Sequence, residues 1–141
     1  MSNSVFQTRD QKFASVIYQQ IQDIKQQSVA NQKRYGVIAH KLPILIRTAG
    51  LAQALVFISS RSKKKELGKD DEFSLFLTHL TKTINIDTSD IVEYAIKVDL
   101  SKYMYITQQI LDALLWYKRF AQSVLGIEPT DQLDDEQGDK E

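Results

Sequence analysis

The chain has 141 residues, 18 Lys and Arg against 18 Asp and Glu, 43% apolar residues and no cysteine. That length sits near the commonest size of one domain and buries a core without staples, while the missing cysteines exclude disulfides, thiolate nucleophiles and thiolate-bound zinc. The N-terminus lacks a basic-then-apolar signal layout and the apolar runs are far shorter than the roughly 20 residues that span a bilayer, so the expectation is a soluble cytoplasmic protein with no membrane partner.

Every ordered segment reads as helix. Phe6, Phe13, Val16, Ile17 and Ile24 recur at helical spacing and predict a first helix from Phe6 to about Gln27, capped by Thr8 or Asn3. A break near Asn31 and Gly36 precedes a short helix from Tyr35 to about Leu42, which Pro43 should end. The next helix, Ile44 to about Ser59, is apolar almost all round and is expected to be enclosed by the others. Residues 61–71 carry no periodic apolar set and read as an exposed loop, after which Asp70 or Asp71 caps a helix to about Ile84. Thr88, Ser89 and Asp90 start a short helix to about Val98. The last helix runs from about Ser101 to Leu125, with Gly126 as its C-terminal cap. The fold class is all-α: a compact bundle of about six helices over residues 1–126.

The zero net charge conceals an asymmetry. Residues 127–141 hold seven acids and one base, leaving residues 1–126 with 17 bases against 11 acids, a surplus of six positive charges. So polar a tail cannot bury enough surface to offset its ordering entropy, and it is expected to be disordered. Two roles are open to it: solubilising the chain, or folding back over the basic body in competition with a polyanion.

Catalytic constellations are missing from the sequence. His40 and His79, the two histidines, are 39 positions apart and lie in no paired metal-ligand frame, so they read as ordinary surface or half-buried side chains. Five single glycines form no phosphate loop, and the acid pairs Asp70-Asp71 and Asp134-Asp135 sit where solvent keeps carboxylates ionised. The reading is a non-enzyme without cofactor or metal.

What remains is a binding surface. Arg61, Lys63, Lys64, Lys65 and Lys69 cluster in one stretch, suited to phosphate through charge and counterion release, or simply a solvated loop balanced by Glu66, Asp70 and Asp71. Helical spacing places Arg47, Gly50, Ala54 and Arg61 on one stripe. A glycine inside a helix costs about 1 kcal/mol against alanine, so close approach of another helix is expected at Gly50, with approach of an RNA backbone as the alternative. On the last helix Tyr103, Ile106, Ile110, Leu114, Tyr117, Ala121 and Val124 form the core stripe. Leu115 and Arg119 project from the other side with Tyr105, Asp112 and Trp116 beside them, the composition of a protein interface, of a stacking platform, or of a face covered by another helix of the same domain. Lys118 flanks this face, within reach of phosphate. Arg9 and Lys12 complete the candidate patch: Arg9 falls on the Phe6, Phe13 and Ile17 side, as a partly buried hydrogen-bonding arginine or a free phosphate clamp, and Lys12 points to solvent.

Two segments carry a resemblance. Lys41, Leu42, Pro43, Leu45, Ile46, Gly50, Leu51 and Phe57 in the first, and Trp116, Lys118, Arg119, Phe120 and Ala121 in the second, preceded by the pair Tyr35-Gly36, resemble the signature of the small all-helical subunit of the type III-B CRISPR effector, the Cmr complex that targets RNA. The resemblance spans about residues 6–126. It implies a non-catalytic subunit that stacks head-to-tail with copies of itself and with other Cmr subunits beside the guide RNA and target RNA. Its RNA contacts would run through Arg47, Arg61, Lys63, Lys64, Lys65 and Lys118, and its protein contacts through Trp116, Arg119, Leu115 and Tyr105. The competing reading is a helical protein-protein adaptor with no nucleic-acid role.

Overall fold

The computed structural model describes residues 6–62 and 71–131. Six α-helices lie among them: α1 Arg9–Lys25, α2 Val29–Ala49, α3 Leu51–Ser60, α4 Glu72–Ile84, α5 Ile91–Lys97 and α6 Leu100–Ser123. The all-α expectation holds, and most helix starts carry the cap the sequence offers. Thr8 and Gln11 form a reciprocal capping box, with the Thr8 hydroxyl accepting from the Gln11 N–H at 3.0 Å and Gln11 Oε1 accepting from the Thr8 N–H at 2.9 Å. Asp71, Asp90 and Asp99 each accept an N–H from the first turn of α4, α5 and α6. Phe6 lies before the Thr8 cap, outside the helical period, and is fully exposed; Val16 also faces outward.

The division between the second and third helices differs from expectation. Ser28 caps a helix that runs unbroken through Gly36 and Pro43. Pro43 removes one backbone hydrogen bond and costs a helix interior about 3 kcal/mol. Tyr35, Ile38, Leu42 and Ile46 are buried on both sides of it, and burial of each such side chain contributes roughly 1.5–3 kcal/mol, so tertiary packing outweighs the local penalty. The break comes at Gly50, whose φ of +91° is a conformation that residues with a Cβ rarely adopt. Its N–H closes α2 on the Ile46 carbonyl at 2.9 Å, and its carbonyl opens α3 by accepting from the Ala54 N–H at 3.0 Å. Glycine offers no capping side chain, and Tyr103 of α6 substitutes for one: its hydroxyl accepts the Ala52 N–H at 3.0 Å.

Helix α6 packs along both α1 and α2, and α4 closes the remaining side. Its buried face of Ile106, Ile110, Leu114, Tyr117 and Ala121 is the predicted stripe. At the centre Tyr35, Phe76 and Tyr117 pack in series as tilted rings, with successive ring centroids 4.9 Å apart. A buried polar network threads this aromatic core. Tyr117 Oη donates to Gln20 Oε1 at 2.6 Å, Gln20 Nε2 donates to the His79 carbonyl and to Thr83 Oγ1 at 3.2 Å each, and Tyr35 Oη lies 2.6 Å from His79 Nδ1. Burial pushes both tyrosine hydroxyls above their ordinary pKa and lowers His79 to about 4, with the Lys82 charge adding to the second effect. Tyr35 and His79 are thus held in their neutral forms, and they share one hydrogen bond.

The close-approach glycine is Gly36, not Gly50. A Cβ at Gly36 would stand 2.7 Å from the Ile127 side chain, whereas one at Gly50 would meet only the Tyr103 hydroxyl at 3.6 Å. Gly126, at φ +74°, turns the chain after α6 so that the Ile127 N–H returns to the Ala121 carbonyl at 2.9 Å. Ile127 then fits over Gly36, and its carbonyl accepts from His40 Nε2 at 2.8 Å. His40 is consequently buried, deeper than expected, and the core reaches one residue past Gly126.

Candidate nucleic-acid interface

The basic residues fall on separate elements. Arg47 is exposed in the last turn of α2, where a cation complements the negative end of the helix. Arg61 follows α3 as its C-cap. The φ of Gly50 separates the two helices, so the single stripe expected for Arg47, Gly50, Ala54 and Arg61 does not exist. Lys118 is half-exposed on α6. Lys63, Lys64, Lys65 and Lys69 lie outside the described residues.

Arg61 has the most defined surroundings. Its guanidinium carbon sits 6.0 Å from the Phe57 ring centroid and 5.8 Å from that of Phe73, both within cation–π range. Its Nε is buried without a partner, and among the described residues the side chain makes no hydrogen bond. Two rings thus hold the group in place, with no hydrogen bond to it among the described residues. Nearby, Ser62 Oγ donates to Asp71 Oδ1 at 2.9 Å, joining the end of α3 to the cap of α4. The two ends of the lysine-rich segment are thereby fixed side by side.

The outer face of α6 divides into two parts. Leu115, Arg119 and Tyr105 are exposed, as expected for an interface. Trp116 is occupied within the molecule: its Nε1–H donates to Asp10 Oδ1 at 2.9 Å and its ring stacks on Phe120 at 5.5 Å, with Tyr18 edge-on to Phe120 at 5.4 Å. Arg9 pairs with Asp112 and lies over Phe13. The start of α1 therefore covers this half of the face, the alternative that the sequence left open.

One feature of the surface was not legible in the sequence. The all-round apolar run expected to be enclosed instead exposes Val56 and Phe57 on α3, where with Ile96 of α5 they line an open groove. Ten residues of α3 present only one face to the core, and an apolar residue on the opposite face looks, in sequence, like one more core residue. A second exposed apolar set, Leu100, Met104 and Tyr105, occupies the first turns of α6.

Comparison with known proteins decides the family. The family model described as "CRISPR-associated protein (Cas_Cmr5)" matches residues 9–124, which takes in all six helices. The chain belongs to the Cmr5 family. It is 34% identical over 121 residues to the CRISPR system Cmr subunit Cmr5 of Thermus thermophilus, covering 84% of this chain and 96% of that one. It also superposes on the crystal structure of a CRISPR-associated Cmr5 family protein from the same organism with a TM-score of 0.72 at 30% identity, covering 84% of this chain and 98% of the other. The Cmr5 resemblance carried by the Tyr35-Gly36, Leu42-Pro43 and Trp116–Ala121 elements is borne out. The structure adds physical reasons for three of those residues: Gly36 admits Ile127, Gly50 divides α2 from α3, and Trp116 fastens α1.

Proposed function

We propose that the chain is a non-catalytic subunit of a type III-B CRISPR ribonucleoprotein effector, packing beside the guide–target duplex against other Cmr subunits and head-to-tail against copies of itself. The observation that carries this reading is the family match across every helix. Target RNA is contacted through Arg47, Arg61, Lys118 and the lysines at 63–65, by charge and without base preference. Arg61 supports that role because its guanidinium is positioned by two rings and makes no hydrogen bond among the described residues. The non-catalytic role is supported by the histidines, both committed to the fold: His40 to the Ile127 carbonyl and His79 to Tyr35. No described helix is long and apolar enough to cross a membrane, and the effector would work in the cytoplasm.

The exposed apolar residues Leu100, Met104, Tyr105 and Leu115, with Arg119 beside them, supply the protein-facing surface. They also favour the second reading, an adaptor that binds proteins alone. Purification of the tagged chain from its host, with sequencing of any attached RNA, separates the two. The proposal expects other Cmr subunits and short guide RNAs to be recovered; protein partners without RNA would establish the adaptor.

A further inference from the structure

We infer that the pocket between the end of α4, α5 and the first half of α6 binds one ribonucleotide, with its base edge against the Gln109 side chain. The pocket holds about 500 Å³, inside the roughly 300–1,000 Å³ of small-molecule sites. Gln109 lines it and is only 8% exposed, yet its amide makes no hydrogen bond among the described residues. Gln20, buried to the same 8%, uses its amide fully: it donates to the His79 carbonyl and Thr83 Oγ1 and accepts from Tyr117 Oη. Buried polar groups in folded proteins are nearly always paired, so an unpaired amide in the wall of a cavity marks a place for a ligand.

The lining residues select the class of ligand. An amide both donates and accepts, so a partner's lysine or arginine, which only donates, would leave half of it unpaired. A nucleobase edge presents a donor and an acceptor side by side and pairs with both. Tyr94 and Tyr105 line the same pocket and supply aromatic faces for stacking, while Ile84, Ile86 and Ile106 form its apolar walls. Asp87 and Lys102 complete it; both are exposed, and neither makes an ion pair among the described residues. One charge of each sign suits the remainder of a ribonucleotide: the carboxylate accepts from ribose hydroxyls and the ammonium takes the phosphate. A partner's peptide backbone also pairs with an amide, but it is neutral and leaves Asp87 and Lys102 without a counterpart.

The pocket stands apart from the phosphate contacts proposed above, so its failure leaves the RNA-contact reading in place. The test is an NMR titration of the full chain with ribonucleoside 5′-monophosphates, their 2′-deoxy forms and a short single-stranded RNA. Saturable shifts of the Gln109 side-chain amide and of the Tyr94 and Tyr105 rings are expected with at least one ribonucleotide. Saturation by a monophosphate identifies a free nucleotide as the ligand, and saturation by the RNA alone identifies a nucleotide within a strand; either result supports the site. Gln109→Leu keeps the bulk and removes the amide, and should weaken binding by roughly 5- to 150-fold, the range for loss of one paired base contact. Because the amide has no partner inside the fold, the same variant should melt no lower than the native chain. Asp87→Asn, at an exposed position, should weaken the ribonucleotide and leave its deoxy form unchanged. Absence of shifts with every monophosphate and with the RNA, full affinity in Gln109→Leu, or a lowered melting temperature for that variant would each overturn the inference, the last by making Gln109 structural. Displacement of the bound nucleotide by another Cmr subunit would also overturn it, by making the pocket a protein contact.

Discussion

Gly36 lies within α2 and Gly50 ends it, so the two glycines serve different purposes. A methyl group at Gly36 collides with Ile127 at 2.7 Å, and overpacking of this kind costs about 1–3 kcal/mol. Gly36→Ala should therefore lower the urea midpoint of the full chain. In a chain ending at Leu125 the collision is gone, and the same substitution should stabilise by up to about 1 kcal/mol through helix propensity; destabilisation in both backgrounds would contradict the role given to Ile127. His79 supplies a pH-dependent contribution. Its pKa is lowered from 6.5 to about 4, chiefly by burial and then by Lys82, partly offset by Asp23. The folded state thus favours the neutral ring, so the stability His79 contributes is complete above pH 6.5 and is lost as pH falls toward 4, on the order of 3 kcal/mol. Unfolding curves between about pH 7.5 and 4.5 should steepen in that direction for the native chain and less for His79→Gln; equal slopes would show that carboxylates alone govern the acid limit. Neither histidine's role could be read from sequence, because the partners, the Ile127 carbonyl and the Tyr35 hydroxyl, lie 87 and 44 residues away.

Among the helices, those with an acidic or hydroxyl cap and a single apolar stripe were legible from sequence to within a few residues: α1, α4, α5 and α6 begin at Thr8, Asp71, Asp90 and Asp99 because each side chain takes up a first-turn N–H. The α2–α3 boundary was not legible, since proline is the stronger local breaker and only tertiary burial around Pro43 overrides it. The outer face of α6 was half legible: its exposed residues follow from helical geometry, but the cover over Trp116 comes from α1, distant in sequence. Trp116 and Arg119 are expected to behave differently for that reason. Trp116→Ala removes a hydrogen bond to Asp10 and a ring stack on Phe120, and should cost the free subunit about 1–3 kcal/mol in a melting experiment. Arg119→Ala should leave the melting temperature unchanged and weaken co-purification with the other Cmr subunits. Equal melting temperatures for the two variants would return Trp116 to the intermolecular interface.

At the scale of the whole molecule, the charge division between a body of +6 and residues 127–141 of −6 suits the body to a polyanion, and the proposed function takes that polyanion to be RNA. The sequence showed the family because its signature residues are ones the fold uses: Gly36 and Gly50 at points where no side chain fits or the backbone turns positive, Trp116 at the α1–α6 contact. It did not show a contact surface, because Arg47, Arg61 and Lys118 reach the surface from three different helix positions and only the fold relates them. The central claim, phosphate contact through the lysine-rich segment after α3, is tested most directly by the salt dependence of target-RNA binding in the assembled effector. With Lys63, Lys64 and Lys65 replaced by Ala, the slope of log K against log salt should flatten by about 2, from three lost contacts at ~0.7 counterions each on single-stranded RNA, with similar loss for every target sequence. A slope equal to that of the unmodified complex would contradict the account and remove the RNA contact from this segment.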